Sequence, residues 1–140
     1  MNDDAAVFVL DSFALLAYLD GEEGMERVRN ILVKASQELC RVMHSVINLG
    51  EVLTITEREV GLTLAQAVLA SVEQLPIEIL PATKEAVLAA GHIRANYSVA
   101  YADAFAVAAA IEFGGTVLTG DREFEHVEGL VKVEWLDHKT

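Results

Sequence analysis

The 140-residue sequence contains a single cysteine, and this scarcity excludes two kinds of site. Cys40 alone can form neither an internal disulfide nor a cluster of cysteine metal ligands. The first four residues include two aspartates and no basic residue, whereas a secretory signal peptide begins with basic residues. Both observations favour a protein that acts in the reducing cytoplasm.

Basic residues are also scarce, with 10 Lys and Arg against 22 Asp and Glu, which gives a formal net charge of −12. Because phosphate binding depends on Lys and Arg, this balance argues against a general nucleic-acid coat protein. It is compatible with a local acidic site that recruits cations. No apolar run reaches the ~18 residues of a membrane span, so we expect no contact with a membrane.

Apolar residues are abundant and make up 53% of the chain. A length of 140 residues suits one domain, residues 1–140, with a full-sized core. Apolar surface beyond what one core uses is commonly placed in a subunit interface. We therefore expect a homo-oligomer.

Segments typical of strands and of helices alternate along the chain. Short apolar runs predict strands at residues 6–10, 40–43, 77–80, 116–119 and 131–135. Helical patterns predict helices at 13–19, 23–38, 45–60, 63–75, 84–95 and 99–111, with Thr63 and Thr83 as helix caps. The alternation predicts an α/β fold, namely a three-layer α/β/α sandwich with a central parallel sheet of four to five strands. The tail, residues 137–140, is predicted to fray.

The helix predicted at 99–111 is apolar on every side except at Asp103. Its alanine content favours a helix, and a helix that is apolar all round belongs inside a protein. A buried carboxylate must be capped, paired or bound to a metal, because an isolated buried charge is costly. The sequence must therefore supply a cap, a paired group or a metal site for Asp103.

Three other acids occupy comparable positions. Asp11 and Asp121 each follow a predicted strand, at the sheet edge where ligands bind in open α/β folds, and Glu51 lies among apolar residues of a predicted helix. Each acid also has a purely structural explanation. Asp11 could cap a helix, Asp121 could form a turn beside Gly120, and Glu51 could face solvent.

Four carboxylates that converge at one edge of a sheet would repel each other unless a cation neutralised them. Oxygen ligands, without cysteine or histidine at helical spacing, suit Mg²⁺ or Mn²⁺ better than zinc. Such ions support phosphoryl chemistry, in which water attacks phosphorus and the leaving oxygen is stabilised.

At four places the sequence resembles the PIN-domain family and, within it, the VapC-type ribonuclease toxins. The matching segments, in family order, are Val-Leu-Asp-Ser at 9–12, Asn-Leu-Gly-Glu-Val at 48–52, Tyr-Ala-Asp-Ala-Phe-Ala-Val-Ala at 101–108 and Thr-Gly-Asp-Arg-Glu-Phe at 119–124. Each motif is short, and the ordered set of four is what makes the resemblance specific.

The resemblance implies a Mg²⁺- or Mn²⁺-dependent endoribonuclease that cleaves single-stranded or structured RNA. It implies a catalytic set made up of Asp11, Glu51, Asp103 and Asp121. Of these, Asp11, Asp103 and Asp121 would hold metal. Ser12 and Thr119 would orient the carboxylates, and Arg122 and Arg94 are candidate phosphate contacts. The family also implies a homodimer and a small antitoxin whose tail fills the acidic groove.

Two other functions fit parts of the pattern. One is a non-catalytic PIN-fold protein that works by binding another protein. The other is a phosphatase or receiver-type domain, which commonly carries a second acid directly after the first strand's aspartate. This chain has Ser12 and Phe13 there, which disfavours that alternative.

Overall fold

The computed structural model describes residues 5–136, and five parallel strands form one sheet at its centre. The strands are β1 (Val7–Leu10), β2 (Arg41–Ser45), β3 (Glu78–Leu80), β4 (Thr116–Thr119) and β5 (Lys132–Trp135). Their order across the sheet is β3-β2-β1-β4-β5, and every neighbouring pair is parallel. The predicted parallel sheet is confirmed, with five strands. The predictions for residues 1–4 and for a frayed tail at 137–140 lie outside the described residues.

Six α-helices and one 3₁₀ helix connect the strands within residues 5–136. They are α1 (Ser12–Asp20), α2 (Met25–Ser36), α3 (Val46–Val60), α4 (Leu62–Glu73), α5 (Lys84–Asn96), α6 (Tyr101–Phe113) and the 3₁₀ helix Arg122–Val127. Across this same part of the chain, none of the helices is both long and apolar enough to cross a membrane.

The helices cover both faces of the sheet, as the period-2 alternation of strand side chains requires. On β1, Phe8 and Leu10 join a core cluster with α1 and α2, whereas Val9 points to the opposite face, against α5 and α6. The three-layer α/β/α prediction is therefore confirmed. Helix α3 contacts both α1 and α6, so it links the two faces at one end of the sheet.

Helix α6 is the most buried helix, and its residues from Asp103 to Ala110 are all buried. Small alanine side chains allow it to pack closely against the sheet on one side and α5 on another. The prediction of an interior helix with one buried carboxylate is confirmed. Two large apolar side chains of the helix, Tyr101 in its first turn and Ile111 in its last, are about half exposed.

The structure confirms the predicted cap at Thr83 and the predicted start of a helix at Ser45. The hydroxyls of Ser45 and Thr83 accept hydrogen bonds from the first turns of α3 and α5. The predicted cap at Thr63 is wrong, since Thr63 lies inside α4. Gly61, at φ 91°, ends α3 and also begins α4, so the two helices share one junction residue and leave no room for a separate cap.

The turn from α6 into β4 depends on a close backbone approach at Gly115. A Cβ atom there would lie 3.0 Å from Val7 Cγ1 and 3.1 Å from the Val7 carbonyl oxygen. We expect Gly115→Ala to lower the free energy of unfolding by about 1–3 kcal/mol, because the alanine overpacks the α6–β1 contact. Urea denaturation measures the change.

Gly129→Ala is the matched control, since a Cβ at Gly129 meets no atom within 4 Å. Both substitutions reduce the entropy of the unfolded chain in the same way, so the difference between them isolates the packing effect. Equal stability of the two variants would contradict the close packing described for Gly115.

Candidate active site

The carboxyl ends of the central strands gather the acids that the sequence singled out. Asp11 directly follows β1, and Asp121 lies two residues after β4. These strands are parallel neighbours, with Leu10 paired to Leu118. Both acids therefore leave the sheet at the same edge, where ligands bind in open α/β folds.

Asp11 is almost completely buried, with 1% of its surface exposed, and both its carboxylate oxygens accept hydrogen bonds. Oδ1 accepts the Ala14 N–H at 2.8 Å and caps α1, while Oδ2 accepts the hydroxyl of Thr119. The Thr119 oxygen in turn accepts the Asp121 N–H at 2.9 Å. The helix-cap interpretation of Asp11 is correct, and the same carboxylate is tied through Thr119 to the turn that carries Asp121.

Asp103 lies in the first turn of α6 and is 6% exposed. Asn48, which is buried on α3, forms hydrogen bonds with the residues next to Asp103 and Asp11 in the sequence, Ala102 and Ser12. The Asn48 Nδ2 donates to Ser12 Oγ at 3.2 Å and to the Ala102 carbonyl at 3.1 Å, and Ser12 Oγ donates back to the Asn48 carbonyl at 3.3 Å. One amide side chain therefore connects the residues adjacent to both buried acids.

Burial and charge repulsion act together on the two buried carboxylates. Burial, followed by the charges of Asp11, Asp121, Glu51 and Glu123, raises the pKa of Asp103 to about 8. Burial also raises the pKa of Asp11 to about 7, although the hydrogen bonds from Thr119 and Ala14 oppose the rise. The four acids of the predicted catalytic set thus lie close enough to act on each other electrostatically.

The other two acids of the set are less enclosed. Glu51 is exposed on α3, as the structural explanation of a solvent-facing residue predicts. Its charge nevertheless raises the pKa of both buried aspartates. Asp121 is half-buried, and its Oδ1 accepts the Glu123 N–H at 3.0 Å. Asp121 therefore does have the turn role, at the start of the 3₁₀ helix.

Sequence reasoning missed two residues of this region as functional candidates. Asn48 was noted only as part of a motif, and Glu123 only as part of the segment after β4. Glu123 Oε1 accepts the Ala100 N–H at 3.0 Å and so connects the Asp121 turn to the start of α6. The sequence does contain a signal for Asn48. Asparagine is a poor helix former, so an asparagine among apolar residues of a helix indicates that its side chain forms hydrogen bonds.

The two candidate phosphate contacts differ in how they are engaged. The Arg122 guanidinium lies 4.4 Å from the Trp135 ring centroid, and its Nη1 is 3.6 Å from Glu125 Oε2. Arg94 donates from Nε to the Val99 carbonyl at 3.2 Å and lies 5.9 Å from the Tyr101 ring centroid. Arg122 is thus held by an acid and an aromatic ring, whereas Arg94 is held by a carbonyl and a ring.

The carboxylate oxygens of the site suit a hard divalent cation, although they lie too far apart to form a ready ligand group. Across residues 5–136, no three Asp, Glu, His or Cys side chains are close enough to form a ready ligand group. The donors are carboxylate oxygens, which Mg²⁺ and Mn²⁺ prefer. Among the described residues, no hydrogen bond opposes the rise in the pKa of Asp103.

The raised pKa of Asp103 means that its ionised carboxylate lowers the free energy of unfolding of the metal-free protein. Because the pKa is higher in the folded than in the unfolded state, stability falls as pH rises from about 4 to about 8. We expect Asp103→Asn to raise the free energy of unfolding by about 1 kcal/mol at pH 8.5 and by less at pH 5. Urea denaturation in the presence of a chelator measures both values.

Asp20→Asn serves as the matched control, since Asp20 is an exposed aspartate at the end of α1. The control is expected to show no gain that grows with pH. If Asp103→Asn shows the same stability as wild type at both pH values, the buried like-charge cluster is wrong.

Known proteins share the fold of this chain. The PIN domain family profile matches residues 8–130. The DNA-bound VapBC complex from Salmonella typhimurium is 24% identical, with a TM-score of 0.73 over 94% of this chain and 99% of that one. FitAcB from Neisseria gonorrhoeae is 20% identical, with a TM-score of 0.70 over 94% and 99% of the two chains.

A third similar structure is Mycobacterium tuberculosis VapC20, described as a sarcin-ricin loop cleaving toxin. It is 18% identical, with a TM-score of 0.66 over 90% of this chain and 96% of that one. No curated protein matches the sequence at a significant level. The family profile spans nearly the whole chain and the fold matches VapC toxins, and on this basis the chain belongs to the PIN-domain family.

Proposed function

We propose that the protein is a Mg²⁺- or Mn²⁺-dependent endoribonuclease that hydrolyses RNA phosphodiester bonds, and that it is the toxin of a type II toxin–antitoxin pair. The observation that carries the proposal is the pair of buried carboxylates, Asp11 and Asp103, held at one sheet edge beside two further acids. An arrangement of this kind is unfavourable by itself and becomes favourable around a divalent cation. Membership of the PIN-domain family supports the same activity.

Three aspartates would hold the metal, namely Asp11, Asp103 and Asp121. A divalent cation bound there would supply Lewis-acid stabilisation of charge on the phosphodiester and would make a bound water more acidic. Each oxygen of Asp11 accepts one hydrogen bond and so keeps lone pairs for a ligand. No hydrogen bond from residues 5–136 occupies either carboxylate oxygen of Asp103, so both oxygens could bind a ligand.

The remaining residues orient these carboxylates and the water. Thr119 fixes Asp11 through its hydroxyl, and Ser12 is held by Asn48. Glu51, which is exposed on α3, would orient the attacking water and accept its proton. A bond would then form between the water oxygen and phosphorus, the bond between phosphorus and the leaving ribose oxygen would break, and the leaving oxygen would take up a proton from solvent.

The proposal includes two protein partners, a second copy of this chain and a small antitoxin. Large apolar side chains are exposed on several helices, among them Leu62, Leu64, Leu88 and Ile111, which suits burial in interfaces. Solved structures with the same fold include VapBC complexes and a toxin–antitoxin complex from Klebsiella pneumoniae. With Cys40 the only cysteine and buried, the protein is suited to work in the cytoplasm.

The alternative is a non-catalytic PIN-fold protein that acts by binding another protein. Two observations favour it: the net charge of −12, and the absence from residues 5–136 of a ready three-residue ligand group. A calorimetric titration discriminates the two functions, since the nuclease takes up Mg²⁺ or Mn²⁺ and the binding module does not.

We expect Asp11→Asn and Asp103→Asn each to lower the rate of RNA cleavage by at least about 100-fold, because each removes a charge that holds the metal. Cleavage of an unstructured oligoribonucleotide with Mg²⁺ or Mn²⁺ measures the effect. Glu51→Gln is expected to lower kcat with metal affinity largely retained. Glu59→Gln, which changes an exposed acid on the same helix, is the matched control. Cleavage that survives both aspartate changes would show that the proposed site is wrong.

Asn48→Ala tests the connection between the two buried acids. We expect Mn²⁺ affinity and cleavage to fall by about 10–100-fold, because Asp11 and Asp103 lose their shared anchor. Calorimetry reports the affinity, and circular dichroism establishes that the variant is folded. Asn30→Ala, which changes an exposed asparagine on α2, should leave both quantities at the wild-type level. A folded Asn48→Ala protein with normal Mn²⁺ affinity would refute the positioning role.

A further inference from the structure

His44 is a fully buried histidine close to the edge of the sheet that carries the acids. It lies in β2, one residue before the end of that strand. Its Nδ1 is 2.7 Å from the carbonyl oxygen of Leu10, the last residue of β1, which directly precedes Asp11. A carbonyl oxygen can only accept a hydrogen bond, so Nδ1 carries the proton and is the donor.

This hydrogen bond continues the link between β1 and β2 beyond the end of their backbone ladder. The ladder between the two strands ends at the pair Val9–Met43. One residue further along each strand, the His44 side chain reaches the Leu10 carbonyl. The carboxyl end of β1 is therefore tied to β2 by a side chain.

A histidine is an expensive residue to bury at this position. Its Nε2 is buried and has no hydrogen-bond partner among residues 5–136. Burial lowers the pKa of His44 to about 4, although the hydrogen bond to Leu10 opposes this change, so the ring is neutral at pH 7. An aliphatic side chain would fill the same place in the core without an unsatisfied nitrogen. What the histidine adds is the Nδ1–H donor.

Asp11 is held from the strands on both sides of β1. From β4, the Thr119 hydroxyl donates to its Oδ2. From β2, the His44 ring holds the carbonyl of the preceding residue. At the start of α1, the Ala14 N–H donates to Oδ1. Contacts that fix a ligand carboxylate in one orientation strengthen metal binding, because less freedom is lost when the metal binds.

We propose that His44 is a positioning residue for Asp11: its Nδ1–H donor holds the end of β1, and with it the Asp11 carboxylate, in the orientation that binds the divalent cation. The inference rests on the proposed metal-dependent function and adds to it a buried residue outside the acidic cluster. Because His44 acts through the Leu10 carbonyl, its effect depends on the donor and not on a charge on the ring.

The first experiment compares the Mn²⁺ affinity of wild type, His44→Leu and His44→Asn by calorimetry. Leucine is close to histidine in volume and has no donor, whereas the side-chain Nδ2 of asparagine can replace the Nδ1 donor. We expect His44→Leu to weaken Mn²⁺ binding about tenfold and His44→Asn to stay within about threefold of wild type. Asparagine leaves the larger cavity, so a purely structural role of His44 predicts the opposite order.

The second experiment needs neither metal nor RNA. Hydrogen exchange of the Ala14 amide, which donates to Asp11 Oδ1, reports how firmly the carboxylate is held. Its rate is compared with that of the amide of Ile31, a buried residue of α2, to correct for global stability. In metal-free His44→Leu we expect exchange at Ala14 to become about tenfold faster relative to Ile31, with His44→Asn near wild type.

Val42→Ala is the matched control for a loss of core packing. Val42 is buried two residues before His44, so its side chain lies on the same face of β2. The substitution removes buried volume and leaves the hydrogen bond from His44 to Leu10 in place. It should lower stability in urea, with Mn²⁺ affinity and relative exchange at Ala14 near the wild-type values.

Circular dichroism establishes that each variant is folded. His44→Met, whose flexible side chain also lacks a nitrogen donor, takes the place of His44→Leu if that variant does not fold.

The outcomes separate this inference from the proposed function. If wild type binds no Mn²⁺, the metal-dependent function itself is wrong. If wild type binds Mn²⁺ and the folded donor-less variant binds it equally well, the positioning role is wrong and the function stands. Unchanged exchange at Ala14 in that variant, or weaker Mn²⁺ binding by His44→Asn than by His44→Leu, would also overturn the positioning role.

Discussion

The central constraint on the structure is that two buried carboxylates lie near each other despite their mutual repulsion. Asp11 leaves the central strand and Asp103 opens the most buried helix, and Thr119 and Asn48 fix their surroundings. Burial raises the pKa of both acids, and their neighbours raise it further. The packed sheet and helices supply the stability that tolerates this cluster, which is a common cost of a functional site.

Much of the fold could be predicted because its signals are local. The predicted bounds of β4 match the structure, and the predicted cap at Thr83 is confirmed because it depends on a few adjacent residues. The alanine-rich helix was also recognisable, since composition alone indicated its burial. The predicted cap at Thr63 was wrong because α3 ends at Gly61 and α4 begins from the same residue. The start of α4 is therefore set by both helices together and not by the residues near Thr63 alone.

In the candidate site, too, residues with a local signal could be predicted and residues whose role depends on distant partners could not. Asp11, Asp103 and Asp121 could be found because each stands at a place where an apolar segment meets a single charge. Asn48 was missed because its role is non-local: its amide reaches Ser12, 36 residues away, and Ala102, 54 residues away. Hydrogen-bond partners at such separations are set by the packing of α3 between α1 and α6, which no local pattern encodes.

The central claim is that Asp11 and Asp103 share one divalent cation at the carboxyl edge of the sheet. The most direct measurement is anomalous scattering from crystals soaked in Mn²⁺. The account predicts one strong peak within about 2.5 Å of a carboxylate oxygen of both aspartates. A Mn²⁺ peak that contacts neither aspartate, or two aspartates that stay bare at saturating Mn²⁺, would contradict it.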